Sequence, residues 1–164
     1  MPRVFVSIGS NIDKERNVAI AVRALDSHYR PLTVSSVYES PPFGFKGDNF
    51  YNLVVGFDTE EPLTEVAARL TGIERSCGRV RSDKTFDSRT LDIDLLLYGD
   101  LVRHEQGFDV PRPEIGEHAF VLWPLAEIAP EHKHPETAQT FKAMWQNFKG
   151  PKQELWPVPF DFGL

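Results

Sequence analysis

Cysteine occurs once, at Cys77, so the chain closes no internal disulfide, and a reducing compartment is allowed. No stretch approaches the ~20 apolar residues that span a bilayer, and residues 1–11 lack the apolar core of a secretion signal. These absences predict a soluble, cytoplasmic protein with no membrane partner. Basic charge is scarce too: 18 Lys and Arg against 24 Asp and Glu leave a net charge of −6. That balance argues against a general binder of nucleic acid or anionic membrane. Neither G-x-x-x-x-G-K-[ST] nor G-x-G-x-x-G occurs, so any bound nucleotide is not cradled by a glycine-rich loop. No Ser-His-Asp or Cys-His arrangement offers a covalent nucleophile.

What is present is globular. Of 164 residues, 41% are hydrophobic and 26% charged, enough for one domain with a sizeable core. We expect a single domain over residues 1–164, with a core over 1–130 and a C-terminal helix and docked tail over 131–164. Residues 3–8 alternate, with Val4, Val6 and Ile8 on one face, and read as a strand. Residues 14–28 read as a helix that buries Val18, Ala21, Val22 and Leu25. Pro31 stops it. Residues 32–38 read as a second strand and 50–57 as a third, separated by a structured Pro-Pro and Gly loop over 39–47. Pro62 suits the first turn of a second helix, striped by Leu63, Val66, Ala67, Leu70 and Ile73. Residues 91–98 form a fourth strand. The order β-α-β-β-α-β predicts an α+β, ferredoxin-like sandwich with an antiparallel sheet. The chain after Val110 holds 8 of the 13 prolines and reads as a loop and helix extension, with short helices near 115–126 and 140–148. The apolar tail is expected to dock on the body or on a partner.

Charge is concentrated. Residues 69–90 carry six basic and three acidic side chains, a local +3 in an acidic protein, and Asp92 and Asp94 follow at once. In a strand, residues two apart share a face ~6–7 Å apart. Asp92 and Asp94 therefore point together, while Leu91, Ile93, Leu95 and Leu97 are expected in the core under the helices. Two carboxylates so placed can chelate Mg²⁺ that keeps water and phosphate oxygens as further ligands. Alternatively, Arg79, Arg81 or Arg89 neutralises them in an ion-pair network. Arg79 and Arg81 share one side of an extended segment, and a planar guanidinium donates two parallel hydrogen bonds to phosphate. Residues 82–88 read as a polar lid with one aromatic, Phe86. Cys77 reads as a packing residue, and His132 and His134 as surface residues of a proline-flanked loop.

At these residues the sequence resembles the 6-hydroxymethyl-7,8-dihydropterin pyrophosphokinases of folate biosynthesis. The resemblance runs over residues 4–130. It rests on Ile8-Gly9-Ser10-Asn11, on residues 35–44, on Tyr51-Asn52, on Gly78-Arg79-Val80-Arg81, on residues 89–99 with their R-x-x-D-x-D core, and on residues 120–130. It implies the same ferredoxin-like fold and transfer of a pyrophosphoryl group from ATP to a pterin hydroxymethyl oxygen, leaving AMP. It implies that Asp92 and Asp94 bind two Mg²⁺ ions, that Arg79 and Arg89 stabilise the transferring group, and that Glu74 and Arg81 lie on the ATP side. Phe86, Arg112 and His118 fall at positions of the lid and ATP clamp. Phe50 and Phe120 would sandwich the pterin, with Asn52 at the ring edge and Ser40, Pro41 and Phe43 reading its donors and acceptors. Read from the residues alone, Phe50 and Phe120 are simple core positions. The implied partners are small molecules only, with a monomeric chain. The sequence departs from the family at Phe86-Asp87-Ser88, where Trp-Gly-Pro is usual, at Arg112, where His is common, and at His118, where Arg is usual. Those changes leave open a module that binds pterin or nucleotide with weakened turnover. An RNA-binding ferredoxin-like domain is disfavoured by charge.

Overall fold

A computed structural model describes residues 1–42, 46–78, 91–150 and 154–164. Its centre is β1 (Arg3–Ser10), flanked by β4 (Phe50–Asp58) and β5 (Asp92–Tyr98), both antiparallel to it. Strand β3 (Val37–Ser40) pairs with β4 on the far side, so the order is β5-β1-β4-β3. Helices α1 (Lys14–Tyr29) and α2 (Leu63–Ser76) make the two crossovers. This is the expected split βαβ arrangement with every neighbour antiparallel. Among the described residues, no helix is long and apolar enough to cross a membrane.

Local chemistry sets the boundaries. Asp13 enters α1 at φ 44, a left-handed conformation that Asp tolerates, and its carbonyl accepts the N–H of Asn17 at 2.9 Å. Pro62 caps α2 from an extended conformation just before Leu63. The second expected strand is broken in two, β2 (Thr33–Val34) and β3, both paired with β4. Ser35 is the reason. Its Oγ, in place of a backbone carbonyl, accepts the Val54 N–H at 2.9 Å. Val34 stands opposite Val55 and Tyr38 opposite Asn52, so this side carries one extra residue, a bulge.

Two hydrophobic cores lie on opposite faces of the sheet. Under α1 and α2, Val4, Val6, Ile8, Leu53, Val55, Phe57, Leu91 and Ile93 meet the helix stripes, and Cys77 packs among them. On the other face, α3 (Glu114–Glu117), α4 (Ala119–Ile128) and α5 (Phe141–Gln146) bury Phe5, Val54, Leu96 and Leu97. The C-terminal extension is thus a second helical layer, and it is where Leu97 departs from expectation. Phe5 pairs with Leu97 but Val6 pairs with Leu95, so Leu96 is an extra residue that reverses the alternation. Leu95 stays with the first core, while Leu97 faces the second.

Two further features differ from the sequence reading, and the tail docks on the body in a form that reading did not specify. A hairpin, β6 (Arg103–Glu105) and β7 (Phe108–Val110), follows β5. Its β6 side chains are exposed, so no apolar alternation marks it. His132 is no plain surface residue: its ring stacks on Phe141 at 5.7 Å and meets Phe5 edge-on at 5.3 Å, and burial pushes its pKa down. The tail becomes β8 (Trp156–Val158), antiparallel to the outer edge of β3, and Phe160 and Phe162 pack against the first core. The Arg23 guanidinium donates to the Phe162 carbonyl at 2.7 Å.

The crowding of the sheet's second face is testable at Gly56, opposite Phe5 in β4. A Cβ there would lie 2.8 Å from Phe5 Cε1, and that ring is pinned by His132. Gly56→Ala is expected to destabilise the fold by about 1–2 kcal/mol, as overpacking does, read from the urea midpoint. A gain in stability would mean that the Phe5 ring has room to move.

Candidate active site

The face of the sheet that carries Phe5 turns polar toward one end. Along β1 that face runs Phe5, Ser7, Gly9; along β4 it runs Gly56, Val54, Asn52, Phe50; along β5 it presents Asp94 and Asp92. Ser7 pairs with Asp94 and with Val54, and Gly9 pairs with Asp92 and with Asn52. Two carboxylates on β5 and a carboxamide on β4 thus flank the backbone of β1. Asp92 and Asp94 are both half-buried.

Glu74, at the end of α2, is 1% exposed, and its Oε2 accepts the N–H of Ile93 at 2.9 Å. It therefore grips β5 between the two aspartates. The resemblance puts it on the ATP side at the end of the second helix; in the structure its carboxylate also holds the strand. Arg112 comes from the opposite direction. Its backbone N–H donates to Leu96 O at 2.9 Å, fixing it beside the β5 bulge. Its Nη2 lies 3.4 Å from Asp94 Oδ1, and its Nε lies 3.1 Å from Glu114 Oε2. The second contact is close enough for charge attraction but not aligned as a hydrogen bond. One alternative read from the sequence has Arg79, Arg81 or Arg89 neutralising the aspartates; among the described residues the guanidinium beside Asp94 is that of Arg112.

Beside the carboxylates lies a polar strip bounded by aromatics. Asn52 and Ser40 are buried, and Asn52 Nδ2 donates to Ser40 Oγ at 2.9 Å. Ser40 pairs with Phe50 across β3 and β4. Phe50 and Phe120 are each half-buried, so neither is simple core. Phe120, in the first turn of α4, stacks on His118 with centroids 4.9 Å apart and planes 12° from parallel. The structure joins these two, which the sequence assigned to separate ligands. Pro41 is exposed at the end of β3. Phe43, Arg79, Arg81, Phe86 and Arg89, and the lid read over 82–88, lie outside the described residues.

Sequence reasoning missed the staples of this strip. Glu127 on α4 accepts hydrogen bonds from Ser36 N at 3.1 Å, Ser36 Oγ at 2.9 Å and Tyr38 O–H at 2.6 Å. That ties α4, which carries Phe120, to β3, which carries Ser40. Burial, and then Glu127, push the Tyr38 phenol well above its ordinary range. At the other end, Asn11 Nδ2 donates to Asp48 O at 3.3 Å and Lys14 Nζ to Asn49 O at 3.0 Å, holding the approach to Phe50. These partners lie 35 to 91 residues apart, so no local pattern announces them.

The donor set decides what the site can hold. Among the described residues there is no cluster of three or more His, Cys, Asp or Glu side chains fit for a metal. Two half-buried carboxylates with only oxygen donors suit a hard divalent cation that completes its shell with water or phosphate, and Mg²⁺ fits that description. They do not suit zinc, which takes four ligands rich in nitrogen and sulfur.

Fold and site together define a class: a split βαβ sandwich with a carboxylate pair set beside a strip of buried polar groups between half-buried aromatics. A family model described as 7,8-dihydro-6-hydroxymethylpterin-pyrophosphokinase (HPPK) matches residues 5–130. The chain belongs to this family. Among its relatives, the 2-amino-4-hydroxy-6-hydroxymethyldihydropteridine pyrophosphokinase of Aquifex aeolicus is 33% identical over 137 residues, covering 82% of this chain and 85% of the relative. The protein of the same name from Pseudomonas aeruginosa is 36% identical over 138 residues, with 82% and 85% covered. In structure, the wild-type HPPK-DHPS of Plasmodium falciparum superposes with a TM-score of 0.69 at 12% identity. The match covers 90% of this chain and 44% of that one, so this chain spans less than half of the Plasmodium protein, and the likeness shows the fold.

The grip of Glu74 on β5 can be measured. Glu74→Ala leaves the Ile93 N–H buried without its acceptor and is expected to cost about 1–3 kcal/mol, whereas Glu74→Gln keeps an acceptor oxygen and loses much less. Equal losses in the two variants, by urea unfolding, would show that charge and not this hydrogen bond holds the strand.

Proposed function

We propose that this protein transfers the β,γ-pyrophosphoryl group of ATP to the hydroxymethyl oxygen of 6-hydroxymethyl-7,8-dihydropterin, giving the dihydropterin diphosphate and AMP. The observation that carries the reading is the Asp92 and Asp94 pair on one face of β5, level with Asn52 across β1. Family membership supports the same substrates.

The hydroxymethyl oxygen bonds to the β-phosphorus, the bond from that phosphorus to the α–β bridging oxygen breaks, AMP departs, and the hydroxyl proton is released. Transfer of this kind depends on positioning and electrostatics more than on a covalent nucleophile, and the site residues fit that need. Asp92 and Asp94 would hold two Mg²⁺ ions. Bound there, Mg²⁺ supplies charge neutralisation along the triphosphate and an in-line geometry. Arg79 and Arg89 would stabilise charge on the transferring group, and Glu74, Arg81, Phe86, Arg112 and His118 would line the ATP side. Glu74 would do so through β5 rather than by touching the nucleotide. Phe50 and Phe120 would enclose the flat pterin, with Asn52, Ser40, Pro41 and Phe43 at its polar edge. The Asn52–Ser40 hydrogen bond supports this, because it fixes the carboxamide in advance and leaves less to order on binding. We take residues 1–164 as one such domain, acting as a monomer in the cytoplasm. The docked tail and the single buried thiol are consistent with that setting.

The test is product identity. Incubated with ATP, Mg²⁺ and the pterin alcohol, the protein should release AMP in step with pterin diphosphate; ADP as the product would refute the transfer. Asp94→Asn should lower kcat by on the order of 10²–10³-fold, the scale of losing one preorganised electrostatic contact, with an unchanged far-UV spectrum. Near-normal turnover would remove Asp94 from the metal site.

A further inference from the structure

We infer that Arg112 is a placeholder cation for the carboxylate pair, standing on Asp94 until a divalent metal takes that oxygen, with Glu114 set to receive the released guanidinium. The inference rests on the metal reading of Asp92 and Asp94 given above and concerns how this chain manages that site when it is empty.

Two acids fixed on one strand face repel each other, and a counter-cation relieves that repulsion. Arg112 is placed to do this. Its main chain is tied to Leu96, two residues beyond Asp94, so the side chain has only a short reach to the pair. Its Nη2 stands 3.4 Å from Asp94 Oδ1. Its Nε stands 3.1 Å from Glu114 Oε2, but without hydrogen-bond alignment. One guanidinium is therefore shared between two carboxylates, and both Arg112 Nε and Glu114 Oε2 are buried atoms whose hydrogen-bonding capacity is unspent. A modest swing toward Glu114 would satisfy both atoms and end the contact with Asp94 Oδ1. The side chain of Arg112 is 31% exposed and that of Asp94 22%, so the swing crosses a partly solvated space, not a packed core. Glu114 sits at the start of α3, on the same loop as Arg112, and travels with it. Arg112 and a metal ion would thus compete for one oxygen, and Glu114 would set the terms.

The experiment measures Mn²⁺ binding, by paramagnetic resonance, to the full chain without nucleotide. Arg112→Gln removes the competitor and should tighten Mn²⁺ about three- to fivefold, the range of a partly exposed ion pair. Glu114→Gln leaves Arg112 with Asp94 alone and should weaken Mn²⁺ by at least about twofold. Glu117→Gln, an exposed acid on the same short helix, reports the general field and should leave the affinity unchanged. Thermal unfolding checks that each variant is folded, and an Arg112→Lys variant, which keeps the charge without the fork, should fall between wild type and Arg112→Gln. An unchanged or weaker affinity in Arg112→Gln overturns the inference, as does an effect of Glu117→Gln equal to that of Glu114→Gln. Absence of Mn²⁺ binding by wild type and every variant up to millimolar metal would overturn the metal reading itself, and the inference with it.

Discussion

The phase of one strand is the constraint on which the site depends. A β-strand sends alternate side chains to opposite faces, and a slip of one residue exchanges the faces wholesale. In β5 such a slip would drive Asp92 and Asp94 under α1 and α2 and lift Leu91 and Ile93 out. Burying a carboxylate without a partner costs several kcal/mol, so the hydrophobic core and the carboxylates enforce the same register from opposite sides. The Glu74 carboxylate on the Ile93 N–H adds a third restraint, at the residue between the aspartates. One of its partners is thus a backbone group that α2 reaches only when β5 is correctly placed.

The bulge at Leu96 divides β5 by task. Before it, the strand offers carboxylates to one face and Leu91, Ile93 and Leu95 to the first core. After it, Leu97 faces the second core, beside Phe5 and under the C-terminal helices. Without the extra residue the face of Asp92 and Asp94 would continue through Leu96 to Tyr98. With it, Leu97 joins Leu96 on that face and Tyr98 turns to the first core, so α4 can close over an apolar surface. Arg112 donates its N–H to the carbonyl of Leu96 itself, so the bulge also anchors the loop that brings a cation back to Asp94.

The central sheet, both crossover helices and the facing of Asp92 and Asp94 were legible because each rests on a local period or a local stop. Val4, Val6 and Ile8 alternate, α1 ends at a proline, and the aspartates are spaced by two. What was not legible rests on pairing over distance. Leu97 looks like the next member of an alternating run, and only its partner Phe5 reveals the shift. The break at Ser35 comes from its hydroxyl meeting the Val54 N–H, a contact 19 residues away. The β6–β7 hairpin shows no alternation because its first strand has no buried side to mark. His132 was read by its proline-rich, charged surroundings, yet its ring is held by Phe5 and Phe141 from other elements. The resemblance to a family supplied roles for Phe50 and Phe120 that their types alone do not carry; both side chains are half-buried.

The same logic extends to the aromatic wall. Pro124 lies within α4 and has no N–H to return to the carbonyl of Phe120, four residues back. The first turn is secured from its cap instead, where the His118 carbonyl accepts the N–H groups of Val121 at 3.1 Å and Leu122 at 3.0 Å. The His118 imidazole then lies flat on the Phe120 ring. One face of that ring is therefore covered from within the protein. His118 thereby orients the ring. The cation beside Asp94 comes from another direction, from Arg112 at the β5 bulge. The two side chains divide the work: the imidazole fixes an aromatic wall, and a guanidinium six residues earlier brings positive charge to Asp94.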